Sequence, residues 1–181
     1  PHSRPTENPP RKQPMNKLLV KALLFQAGWF ACVFGARQPW LLLVPLAALL
    51  VHFLWTSSWA VEGRLVASVM LLGSVLDSFL LNIGVLDFGS NSLLLPAWLA
   101  LLWALMGTTL NHSLAWSARH WWLASLLGGV GGSLSYLAGS RIADVSFPYG
   151  QTPTLILLAA IWAVVLPLLH GFARLYREKV R

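Results

Sequence analysis

The sequence predicts an all-α polytopic membrane protein, a six-helix transmembrane bundle with both ends in the cytoplasm. Three observations carry that prediction. Of the 181 residues, 56% are hydrophobic and only 10% charged, with a mean hydropathy of +0.63, whereas a soluble domain carries about 25% charged residues. The apolar stretches are long and continuous rather than alternating. Of the two backbones that satisfy themselves in hydrocarbon, this selects helices over a closed barrel. The basic residues crowd the termini and alternate short links, which is the pattern of topogenic charge.

Residues 1–16 are Pro-rich, polar and aperiodic, so they read as a disordered segment, with 1–14 either an upstream extension or an added leader ahead of Met15. A transmembrane domain over 17–171 follows, then a basic cytoplasmic tail over 172–181. The first span runs from about Lys17 to Ala36. Its apolar part is longer than a signal-peptide core and lacks a small-x-small cleavage site before Arg37, so it reads as a retained helix. A turn at Arg37-Gln38-Pro39 leads into the second span, Trp40 to Ser58, and WAVEGR makes a polar link. The third span is Leu65 to about Leu86, followed by the turn-rich DFGSNS. Pro96 opens the fourth, which ends at Trp116; its missing N–H costs nothing in a first helical turn. After SARH come the fifth span, Trp121 to Gly139, a loop from Ser140 to Pro153, and the sixth, Thr154 to His170. Spans of about 17–22 residues suit a hydrocarbon core of roughly 30 Å.

With the N-terminus inside, eleven basic residues face the cytoplasm and only Arg37 and Arg141 lie outside, a strong positive-inside bias. The ten tryptophans agree with that frame. Trp40 and Trp98 fall at the outer boundary, and Trp55, Trp59, Trp116, Trp121 and Trp122 at the inner one, where interfacial anchors belong. Trp29, Trp103 and Trp162 lie within spans as packing residues. The net charge of +7 therefore reads as topology and not as nucleic-acid binding. Cys32 is the only cysteine, so no intrachain disulfide is possible.

The stretch from Leu71 to Asn91 sets a carboxylate, Asp77, inside a span, where an unpaired charge costs roughly 2.5–3.5 kcal/mol on insertion scales. Counting from the cytoplasmic ends puts Asp77 and Ser133 both 12 residues deep and Tyr136 at 15, or about 18 Å for the first pair. A small-residue face at Gly128, Gly132, Ser135 and Gly139 allows close backbone approach. The expectation is that the third and fifth spans pack on their small faces, with Asp77 near Ser133 and Tyr136. Together with Asn82 these form a candidate intramembrane polar site; the bland alternative is a core hydrogen-bonding carboxyl. Asp87, Asn91, Arg141 and Asp144 outline an outer vestibule, with Arg141 pairing to Asp87 or Asp144. His52, Asn111 and His112 form an inner polar cluster, with Glu62 and Arg64 in the adjoining link. None of the histidines at 52, 112, 120 and 170 is paired at i+3 or i+4, so no metal site or cofactor is expected. No Gly-rich phosphate loop, G-x-S-x-G elbow or Cys pair is present in the sequence.

The succession LLGSVLDSFLLNIGVLDF, PAWLALLWALMGTTLNHSLAW and LLGGVGGSLSYLAGSRIA resembles the bacterial domain-of-unknown-function family numbered 2878. The resemblance runs from about Lys17 to the last span and rests on Asp77, Phe88, Pro96 to Trp98, Trp103, Asn111 and the Gly132 to Gly139 run with Tyr136. It implies a small multi-pass inner-membrane protein without an established activity, encoded near genes for fatty-acid modification. The function expected first is a non-enzymatic accessory role in membrane lipid modification or envelope stress. A substrate-capture component for small-solute transport and an intramembrane lipid enzyme are the alternatives. Membrane lipids and a membrane-protein partner or second copy are the expected partners.

Overall fold

The computed structural model describes residues 15–180; of the segment 1–16 expected to be disordered, residues 1–14 lie outside them, whereas Met15 and Asn16 open the first helix. The described chain is all-α. Four helical stretches are long and apolar enough to cross a membrane: Met15–Gly35, Pro39–Thr56, Trp59–Asn82 and Gln151–Lys179. Leucine, valine, phenylalanine and tryptophan side chains cover the outer surface (Leu23, Val75 and Val164 among them). Such a surface suits lipid and not water.

Helix α1 (Met15–Gly35) buries only its second half, through Gly28, Trp29, Ala31, Cys32 and Val33. Pro39 cannot continue it and opens a 3-10 turn, Pro39–Leu42, ahead of α2 (Leu43–Val51). The stretch then widens into a π turn, His52–Thr56, and stops at Ser57, whose backbone is extended. A second π turn, Trp59–Gly63, is capped by the Ser58 hydroxyl on the Val61 N–H and feeds α3 (Arg64–Asn82). Gly84, at φ +79°, lets the Val85 N–H reach back 2.9 Å to the Leu80 carbonyl and close that helix.

Helix α4 (Ala97–Thr109) is shorter than the expected span to Trp116. The Thr108 and Thr109 hydroxyls bond back to the carbonyls of Leu105 and Met106, a local competition that weakens helix propagation. The chain continues as turns and a 3-10 segment, Ala115–Arg119. Next, α5 (Trp121–Leu127), a π segment (Gly128–Gly132) and α6 (Ser133–Ala143) make one helical run, ended by Asp144 in the left-handed region. The loop expected from Ser140 thus begins only after Ala143.

Helix α7 (Gln151–Val180) is about 45 Å long, so residues 172–180 extend the bundle instead of forming a separate tail. Tyr176 bonds Ser68 of α3 at 2.7 Å, which explains why the helix continues past His170. Pro167 inside α7 cannot donate to the carbonyl four residues back, that of Ala163. The Ser125 hydroxyl of α5 supplies the missing bond at 2.7 Å.

The core is a layered stack. The indoles of Trp103 (α4) and Trp162 (α7) lie parallel, 5.0 Å apart and 6° off plane. A Cβ at Gly73 of α3 would run into the Trp103 ring, and one at Gly132 into Trp162. The expected glycine faces therefore exist, but each receives a tryptophan, from α4 and α7, instead of meeting the other. The principal neighbour of α3 is α4, and that of the Gly128–Gly132 segment is α7. Ser135 turns toward α1, accepting from the Trp29 indole at 2.9 Å, and Gly139 also faces Trp29. The wide π turn rotates the later part of the stripe away from the earlier part.

Candidate functional site

Among the described residues, Asp77 and Glu62 each centre a buried polar site. At mid-depth, Asp77 is 0% exposed. Its Oδ1 accepts from the Tyr136 hydroxyl and its Oδ2 from the Trp103 indole N–H, both at 2.6 Å. Tyr136 is the partner expected from residue counting; Trp103, read from sequence as packing alone, is the one missed. Ser133 is not a partner, since its hydroxyl donates to the Gly129 carbonyl 2.7 Å away in its own helical run. A serine within a helix commonly spends its hydroxyl this way.

The expected outer vestibule does not form around this carboxyl. Asn82 donates to the carbonyls of Ser78 and Leu93 at 2.7 and 2.8 Å, and the Asp87 carboxylate accepts from the Gly89 N–H. The backbones of Asp87 and Ser146 pair as an antiparallel bridge. Arg141 donates to Gln151 at 3.4 Å, while Asp144 is paired with Arg37 instead. Asn91 is exposed. These side chains brace two loops against each other, because turn backbones leave many donors and acceptors to satisfy.

The second site gathers the expected inner cluster around Glu62, read from the sequence as part of the adjoining polar link. Glu62 is 4% exposed. The π turn Trp59–Gly63 folds it back under the bundle. His52 Nε2 donates to Glu62 Oε2 at 2.7 Å, and His112 Nε2 lies 3.1 Å from Oε1. The Asn111 amide also donates to Oε1, at 3.1 Å, while its own oxygen accepts from Arg177 at 2.9 Å. Lys21 donates to His112 Nδ1 at 3.0 Å. Helices α1, α2, α3, α4 and α7 or their adjoining turns thus converge on one carboxylate. A sequence signal for Glu62 existed: the chain has only 6 acidic residues, and this one sits beside a glycine within helical reach of a span.

His52 and His112 also line a cavity of about 310 Å³ between α1, α2 and α4. One end is polar, with Lys21, Thr56, Thr108 and Ser113, and its walls are Leu24, Phe25, Val44, Ala48, Val51 and Leu105. Across α1 a second hollow of about 560 Å³ is lined by Phe25, Trp29, Met106, Gly131 and Trp162. Such volumes are in the range of small-molecule sites. The grouping of His52, Glu62 and His112 is one whose donor atoms could hold a metal ion.

A family model described as "Protein of unknown function (DUF2878)" matches residues 18–168. No curated protein and no solved structure matches the chain.

Proposed function

This chain belongs to the family of proteins of unknown function DUF2878, and from that premise we propose that it holds an acidic amphiphile of the membrane in the cavity between α1, α2 and α4. In this reading it serves lipid modification in an accessory, ligand-holding role. It is a bacterial inner-membrane protein with six crossings and both ends in the cytoplasm, the two beyond the four long apolar stretches being α4 and the helical run over 121–143. Supporting the orientation is the excess of Lys and Arg on the inner links and ends.

One observation carries the ligand class: the cavity is polar and cationic at one end and hydrocarbon along its length. The Lys21 ammonium suits a carboxylate or phosphate, the hydroxyls of Thr56, Thr108 and Ser113 add polar groups at the same end, and the aliphatic walls suit a chain. At the ~30 Å³ that a water occupies in the liquid, 310 Å³ has room for about ten heavy atoms, a head and the first part of a tail. The ligand would therefore lie partly in the protein and partly in the bilayer.

The test is native mass spectrometry of the protein released from detergent, comparing wild type with Ala48→Trp, which fills the wall, and Lys21→Ala, which removes the cation. Retention of a fatty acid or phospholipid by wild type, lost in Ala48→Trp and weakened in Lys21→Ala, is the expected result. Equal lipid adducts on all three proteins, or none on wild type, would overturn the reading.

A further inference from the structure

We infer that His52, Glu62 and His112 are the protein ligands of a divalent transition-metal ion of the zinc type. This site goes beyond the amphiphile cavity and does not depend on it. Among the described residues, these three side chains bring one donor atom each within 4.8 Å of one another. Both imidazoles present Nε2 to the same carboxylate, with rings 5.5 Å apart and 80° to each other, so they converge without stacking. Two histidines and a glutamate with an open fourth position form a known ligand set for zinc. Ligand bonds of about 2.0–2.2 Å in a tetrahedral site put neighbouring donors roughly 3.3 Å apart. The present N···O separations of 2.7 and 3.1 Å are about 0.6 and 0.2 Å shorter than that, and all three donors lie within 4.8 Å of one another.

The surroundings are those of a held ligand set. Side-chain exposures are 11%, 5% and 17% for His52, Glu62 and His112. Asn111 orients the carboxylate, and Arg177 orients Asn111, at 3.1 and 2.9 Å, a supporting shell of the kind that fixes metal ligands. Both His52 and Glu62 sit on π turns, local departures from the α-helix that re-aim side chains and are frequent at functional sites. The spacing, 10 residues from His52 to Glu62 and 50 on to His112, explains why a search for neighbouring histidines in sequence passes over the group. The cavity lined by both histidines leaves the remaining coordination position reachable by water or an anionic oxygen.

Lys21 makes a second, opposing prediction. A charged lysine donating to His112 Nδ1 fixes the ring proton on Nε2, where it points at Glu62. A metal on Nε2 of the neutral ring requires that proton to move to Nδ1, where it would face the Lys21 ammonium, so the ammonium must swing away. Removing it should tighten metal binding.

The experiment uses the full chain in detergent, free of affinity-tag histidines, stripped with chelator and titrated with cobalt(II) and then zinc. Expected are one equivalent of metal per chain and the visible bands of low-coordinate cobalt, displaced by zinc. Both disappear in His52→Gln and His112→Gln, affinity falls about 10–100-fold in Asn111→Ala, and it rises in Lys21→Met. Circular dichroism of the stacked indoles reports that each variant is folded. Should a substituted ligand unfold the chain, nitrogen hyperfine coupling on copper(II)-loaded wild type decides whether imidazoles bind. Folded wild type that takes up no metal, or that binds it without imidazole coupling, overturns the proposal. So does uptake that survives both histidine substitutions. Lipid retention reads the cavity wall and metal uptake reads the three ligands, so failure of one leaves the other standing.

Discussion

Gly73→Ala inserts one methyl group into the tightest place in the bundle. Its Cβ would overlap Cγ, Cδ2 and Cε2 of Trp103. The indole cannot retreat, because its far face lies on Trp162 at 5.0 Å and Trp162 in turn rests on Gly132. Overpacking a filled core costs about 1–3 kcal/mol. Displacing the indole also breaks its 2.6 Å bond to the fully buried Asp77, a membrane-type hydrogen bond worth ~0.6–1.7 kcal/mol. The better helix propensity of alanine returns about 1 kcal/mol. The net loss is about 0.6–3.7 kcal/mol, centred near 2 kcal/mol, where it is roughly a 30-fold change in the folding equilibrium. Reversible unfolding in mixed detergent micelles, followed by tryptophan fluorescence, measures it. The exciton couplet from the two parallel indoles should collapse in parallel. Gly171→Ala is the control, because nothing lies within 4 Å of a Cβ there and the helix gains in propensity. If Gly73→Ala stays within about 0.5 kcal/mol of wild type and keeps its couplet, the layered stack does not hold the helices together.

Ser125→Ala should cost about 1–2 kcal/mol, by leaving the Ala163 carbonyl unbonded above Pro167. In a Pro167→Ala background, where the helix N–H is restored, the same substitution should cost much less; a double-mutant cycle reads that coupling, and additivity would contradict it. Arg37→Ala should change stability by less than about 1 kcal/mol, because the pair with Asp144 is exposed, at 56% and 75%. A larger loss in the same unfolding assay would mean that the loops it ties together fold as one unit.

The sequence carried the helical stretches well, because twenty-residue apolar runs have few alternatives in a bilayer. It also carried height: Asp77 and Tyr136, each counted from the expected cytoplasmic end of its own span, are hydrogen-bonded. Direction around each helix axis was far less legible. Gly128 and Gly132 were expected to face Asp77's helix and instead face Trp162, since a π segment changes the turn and leaves no mark in the hydrophobic pattern. Glu62 was hidden for the converse reason. Polarity in a short link ordinarily signals solvent, and only the π fold-back of Trp59–Gly63 brings that carboxylate inside. Trp103 combined two roles that composition cannot separate, an apolar plate and a buried donor.

Helix α2 contributes a single buried residue, Pro45, to the interior and is joined to α3 through extended Ser57 and Ser58. It therefore has the least apolar contact to lose on parting from its neighbours, and regions of that kind open well below the free energy of global unfolding. Yet this same helix, with Val44, Ala48 and Val51, forms one wall of the 310 Å³ cavity. For the amphiphile proposed above, the way in is then sideways. Such a guest, drawn from the surrounding leaflet, needs only to part α2 from α1, with the tryptophan stack left undisturbed, so in that reading admission and structural integrity are set by separate parts of the molecule.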